Sequence, residues 1–257
     1  MNTWPPDAPR PIPQRRIREK LDEYMARRDI AGAERHLLYW LSEARLNRDR
    51  RGELMVLNEL IGHYRKAGNR QGALDAVEHA LALIDALDFG ETLTAGTTCV
   101  NAATALNAFG ENDRALPLFR RALAIYEAGG AEPPLLGGLY NNMGLTCAAL
   151  GRCDEAASLY DRAMAQMAQA EYGALEQAVT CLNRADLVAA RDGMEAGERA
   201  IDALLEQASA LLTTPGIPRD GYYAFVCEKC APTFDYYGWF AEAQRLRQEA
   251  ADIYEGA

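Results

Sequence analysis

The sequence predicts an all-α protein, a right-handed superhelical solenoid of about six antiparallel helix pairs. Three observations carry that expectation. Strong helix formers, chiefly Ala, Leu, Glu and Arg, dominate the composition, and β-branched residues are sparse. Three segments align without forcing: NELIGHYRKAGNRQGALDAVEHALAL from Asn58, VNAATALNAFGENDRALPLFRRALAI from Val100 and NNMGLTCAALGRCDEAASLYDRAMAQ from Asn141. Their turn glycines, Gly68, Gly110 and Gly151, fall 42 and then 41 residues apart.

The elements follow in chain order. Residues 1–14 are proline-rich and read as an extended arm, and residues 15–257 as one helical repeat domain. ARRDIAGAERHLLYWLSEA, from Ala26, supplies a first repeat with Arg28 at the turn and Ala33 as its small residue. In the three central repeats Ala73, Ala115 and Ala156 open the second helix, and Ala80, Ala122 and Ala163 follow seven residues on. The stretch 127–138, with paired Gly and Pro, predicts a longer loop. A fifth repeat, from Leu182, slips register around Gly193. TTPGIPRDG (213–221) predicts another loop before the last repeat, which carries Gly238, Ala243 and Ala250. Pro232 falls inside that repeat's first helix and is expected to kink it or start a new turn.

Each recurring type has a physical task. Glycine ends the first helix where a left-handed residue is required. Small alanines let antiparallel helices approach, and Tyr64, Leu106, Val77, Phe119 and Tyr160 fill the volume between successive pairs.

These residues resemble the tetratricopeptide repeat family over roughly residues 15–256. The period exceeds the family's usual 34 by about two helical turns, and is similar to the longer-period subfamily of kinesin light chains and bacterial peptide-sensing repeat proteins. The resemblance implies a non-enzymatic scaffold that binds a protein or peptide in a concave groove lined by the first helices.

Composition narrows the alternatives. A formal net charge of -10 argues against nucleic acid, and the only basic cluster is Arg10, Arg15, Arg16, Arg18 and Lys20. No apolar run reaches the ~18 residues of a membrane span, and no signal-peptide core is visible, so a cytoplasmic protein is expected. Phosphate loops, HExxH and nucleophile elbows are absent, so neither enzymatic activity nor a cofactor is expected. His36, His63 and His79 follow no metal spacing and read as polar surface residues. Cys227 and Cys230 form a CxxC, which would suit a thiol-redox or metal-linked protein. Alignment instead puts them, with Cys99, Cys181 and Cys147, in core columns.

Two features point to binding. Asn101, Asn142 and Asn183 recur every 41 residues, with Asn58 and Asn141 one position earlier in their repeats. A carboxamide both donates and accepts, so it can pair with an extended main chain regardless of sequence. The resemblance implies a peptide-binding ladder there. Bonding between neighbouring helices is the alternative. Arg184 and Lys229 are the cations near this column, while Glu19 and Glu59 depart from it. The second feature is the aromatic run from Tyr222 to Phe240, in which Tyr236, Tyr237, Trp239 and Phe240 suit an interface, including a homodimer, as well as a core. A peptide-responsive regulatory module is the rival to a plain scaffold.

Overall fold

The computed structural model describes residues 9–87 and 92–256. The chain divides into two compact units between Gly129 and Gly130. The first holds α1 (Gln14–Ala26), α2 (Ile30–Leu46), α3 (Arg50–Lys66), α4 (Arg70–Ala86), α5 (Leu93–Ala108) and α6 (Asn112–Ala128). The second holds α7 (Pro133–Ala149), α8 (Cys153–Met167), α9 (Ala174–Asp192), α10 (Met194–Leu212), α11 (Gly221–Tyr236) and α12 (Phe240–Gly256). Consecutive helices pack as antiparallel pairs, three in each unit, and the described residues contain no strand.

The turns inside the pairs repeat one device. Arg28, Gly68, Gly110, Gly151 and Gly238 take positive φ of 55°, 70°, 79°, 71° and 82°. In each, the next residue's N–H returns to the carbonyl five positions back: Asp29 to Tyr24, Asn69 to Tyr64, Glu111 to Leu106, Arg152 to Cys147 and Trp239 to Phe234, at 2.8–2.9 Å. That is the Schellman closure, which satisfies a helix-end carbonyl. The same closure joins α2 to α3 through Arg48, so the first three turns share one geometry. Side chains of Asp29, Asp49 and Asn69 then cap the next helix by accepting from the N–H of Gly32, Gly52 and Gly72. The fifth pair departs from this pattern. Gly193 alone separates α9 from α10, which accounts for the slipped register there.

Small residues set the distance between helices. Ala33, Ala73, Ala115, Ala156 and Ala243 are fully buried at the starts of second helices. On the first helices, a Cβ at Gly96, Gly137 or Gly144 would stand 2.6 Å from Tyr126, 2.7 Å from Met167 or 2.4 Å from Tyr160. Each glycine therefore seats a large side chain of its partner helix.

Several expectations need correction. The stretch 127–138 is not a long loop: α6 runs to Ala128 and α7 begins at Pro133. Prolines fit there because the first helical N–H groups have no intrahelical acceptor. α11 runs on through Pro232, and α6 holds Pro117 likewise. Both prolines are on exposed faces, where water can reach the carbonyl each leaves unpaired. His63 is buried, not superficial, and His36 is half-buried against the Ile17 carbonyl at 3.0 Å, while His79 is exposed. Of the arm, residues 1–8 lie outside the described residues. Its remainder is tied down: Ile12 is buried, its N–H donates to Asp49, and the Arg10 N–H donates to the Asn47 carbonyl. The loop 213–220 is as expected, with Ile217 inserted into the core of the second unit.

Two outcomes follow for stability. Gly144→Ala drives a methyl into the Tyr160 ring and should cost about 1–3 kcal/mol in urea unfolding. Gly62→Ala, in a helix interior with open space around it, should instead stabilise by ~0.5–1 kcal/mol. Equal effects at the two sites would contradict the packing account. Burial, aided by Lys66 and opposed by Glu34, holds the His63 imidazole below its ordinary pKa of 6.5. Below that value the unfolded chain binds a proton that the folded chain refuses, so stability falls as pH drops through it. The urea midpoint should be lower at pH 5.5 than at pH 7.5 (about one unit either side of the histidine value), and His63→Gln should reduce the difference. An unchanged slope would show that His63 is not the group responsible.

Candidate functional site

A groove of about 740 Å³ opens on the first unit, walled by the first helices of its three pairs. Arg18 stands on α1, Leu54, Met55, Asn58 and Glu59 on α3, and Leu93, Thr97 and Asn101 on α5. The walls are mostly polar, and their side chains are held in place. Arg18 pairs with Glu59 at 3.2 Å, and the Thr97 hydroxyl meets that of Tyr126 at 3.2 Å.

Asn58 organises the seam between α3 and α5. Its amide donates to the Leu54 carbonyl and to the Thr98 hydroxyl, both at 3.0 Å, and its oxygen accepts from the Asn101 amide at 2.9 Å. Thr98 is fully buried and passes its own proton to the Thr94 carbonyl. Asn101 is consequently oriented, and its own side-chain oxygen is not used in these bonds.

The second unit repeats the clasp. Asn141, 5% exposed, donates to Thr180 at 2.8 Å, and Thr180 donates to the Glu176 carbonyl. So Asn141 holds α7 to α9 in the interior, while its buried oxygen has no protein partner among the described residues. Asn142 and Asn183 are half-buried on α7 and α9, and the buried Asn183 amide nitrogen likewise has no such partner. Arg184 pairs with Asp161 at 3.1 Å, and Lys229 is exposed. Of the asparagines singled out from sequence, Asn58 and Asn101 share a groove. The repeated threonine was missed, although Thr98 and Thr180 lie 82 residues apart and Asn58 and Asn141 lie 83 apart. That two-hairpin period was the available signal.

The aromatic run does not form one cluster. Tyr223 and Phe234 are fully buried, while Tyr236 and Phe240 are 70% and 67% exposed. Polar tips tie several rings to carboxylates of neighbouring helices: Tyr237 to Asp186 at 2.9 Å, Trp239 to Asp202 at 3.4 Å, and Tyr222 to Glu176. Trp239 also packs on Phe234. These rings brace the second unit, in line with the core alternative, and they do not form the single cluster that the homodimer alternative required.

Cys99, Cys147, Cys181, Cys227 and Cys230 are buried thiols outside any disulfide. Burial pushes Cys227 and Cys230 up to about 12, opposite to the activation a redox pair needs. Among the described residues no group of three or more His, Cys, Asp or Glu side chains could hold a metal ion. No helix there is long and apolar enough to cross a membrane.

Comparison with known proteins agrees with this architecture. A tetratricopeptide repeat family profile matches residues 52–128. No curated protein matches the sequence. Among solved structures, the chain is similar to a kinesin-light-chain protein of Podosopora anserina with nearly identical tetratricopeptide-like repeats. The TM-score is 0.54 at 20% identity, over 78% of this chain and 94% of that one. BtubC (BKLC) from P. vanneervenii gives 0.55 at 17% identity, over 90% and 91%. At these identities the likeness carries the fold alone.

Thiol titration of the native protein should modify Cys153, which is only half-buried, before any other cysteine. Cys227 and Cys230 should react only on unfolding. Rapid native modification of either would restore the redox reading.

Proposed function

We propose that this chain, which carries tetratricopeptide repeats, is a non-enzymatic scaffold that holds an extended segment of another protein in the groove of its first unit. The observation that supports this most directly is the polar trough along α1, α3 and α5, with Asn58 and Asn101 linked across its seam. Asn58 spends its donors inside the protein, so its part is positioning. The oxygen of Asn101 is left to accept a main-chain N–H, a contact that tolerates varied ligand sequence. Leu54, Met55 and Leu93 offer apolar contact beside it. Asn142 and Asn183 occupy the matching column of α7 and α9, and are proposed to meet partners in the same way. Lys229, exposed on α11, is a candidate for a ligand carboxylate, and Arg184, with its charge shared by Asp161, is a weaker one.

Asn101→Ala removes the outward acceptor while leaving the Asn58–Thr98 bond. It should reduce partner recovery in quantitative affinity purification from the native cell at least about fivefold, ~1 kcal/mol, the worth of one hydrogen bond. The helical circular dichroism should stay unchanged. Undiminished recovery by Asn101→Ala and by a triple variant with Asn142→Ala and Asn183→Ala would refute groove binding through this column.

A further inference from the structure

A second surface, wholly within the second unit, has different chemistry. Two clefts of about 490 and 350 Å³ adjoin, with Met194 and Tyr237 in the walls of both. The larger is mainly apolar, walled by Ala189, Ala190, Pro232 and Tyr236. The smaller is acidic, walled by Glu195, Glu198 and Asp202. Asp186 stands in the larger cleft, so the joined surface carries four carboxylates and its walls contain no Lys or Arg.

Several observations separate this surface from an ordinary solvated face. Met194 is 49% and Tyr236 70% exposed, large apolar area left open beside charge. Among the described residues none of the four carboxylates is ion-paired, although Arg191, three positions before Met194, is paired with Asp192. Asp186 and Asp202 are held through one oxygen by Tyr237 and Trp239, which leaves the other oxygen of each. Tyr236 stands edge-on to Tyr237, with ring centres 5.0 Å apart.

We infer that this paired cleft docks a partner polypeptide carrying an Arg or Lys next to an apolar side chain. The apolar side chain enters against Met194, Pro232 and Tyr236. The cationic head lies among Glu195, Glu198 and Asp202, and its methylene stem runs over Met194 and the tyrosine rings. This interaction is independent of the groove on the first unit, since no residue is shared.

The test uses fluorescein-labelled 12-residue peptides and the full-length chain, read by anisotropy. One peptide alternates Leu–Arg pairs with Gly–Ser, a second replaces each Arg by Glu, and a third replaces each Leu by Gly. The Leu–Arg peptide should bind. The Leu–Glu peptide should not, and the Gly–Arg peptide should bind at least fivefold more weakly. Two variants, Glu195→Gln with Glu198→Gln, and Tyr236→Ala, change only exposed side chains and should each weaken the Leu–Arg peptide at least tenfold with helicity unchanged. Absence of binding at millimolar peptide, equal binding by either control peptide, or wild-type affinity in either variant would overturn the assignment. Because the first-unit groove is untouched by these variants, loss of Leu–Arg binding with normal recovery of a groove partner separates the two sites.

Discussion

Close approach of paired helices is the constraint on which the rest of this structure depends. Gly144 seats the Tyr160 ring, Gly96 seats Tyr126 and Gly137 seats Met167, each where even one methyl would collide. Fully buried alanines at the starts of the second helices maintain the same proximity from the other side. Area buried this way is worth roughly 25 cal/mol per Å² of apolar surface, and it is realised only at van der Waals contact. A bulkier residue in these columns would move whole helices, and with them every side chain on the groove wall.

Spacing alone would not align the columns; the turns supply phase. A left-handed residue followed by a Schellman closure fixes the rotation at which each second helix departs, and the device recurs from Arg28 to Gly238. With phase fixed, equivalent positions of successive first helices lie side by side within each unit. The clasp of Asn58 with Thr98 and that of Asn141 with Thr180 exist because of that alignment. A buried carboxamide without such a partner would cost the desolvation of its polar groups, about 1–3 kcal/mol. Seam and groove wall are therefore built from adjacent columns, one facing the neighbouring helix and one facing the groove.

Much of this was legible in the sequence because it is periodic. Turn glycines and small alanines recur at the repeat interval, cysteines fall in the core columns that interval defines, and the structure buries those alanines and cysteines accordingly. Features decided by exposure were not legible. Pro232 and Pro117 sit within helices because their unpaired carbonyls face water, and a linear sequence does not reveal which side of a helix is wet. The stretch 127–138 misleads for a related reason. Pro133 and Pro134 open a helix, and Gly137 serves packing against Met167, so residues that elsewhere mark loops have other tasks here. The asparagines were ambiguous since one residue type serves two purposes. Only the threonine opposite, at a two-hairpin period, distinguishes Asn58 and Asn141 as seam residues from Asn101 as one facing outward.

That division bears on how such a chain acquires specificity. Columns that set spacing and phase admit few substitutions, whereas the columns beside them contribute little to packing and are open to change. The two units illustrate this. On the first, the face along α1, α3 and α5 is a polar trough where charges are already neutralised within the protein, as Arg18 is by Glu59. On the second, the surface around Met194 and Tyr236 leaves carboxylates without cations beside open aromatic area. A trough with its charges satisfied favours ligands through shape and main-chain bonds, and discriminates weakly by sequence. A surface with unpaired charge selects by sign, because a like-charged partner meets repulsion that no packing offsets. One scaffold can thus combine a tolerant contact with a selective one without altering the helix spacing that both require.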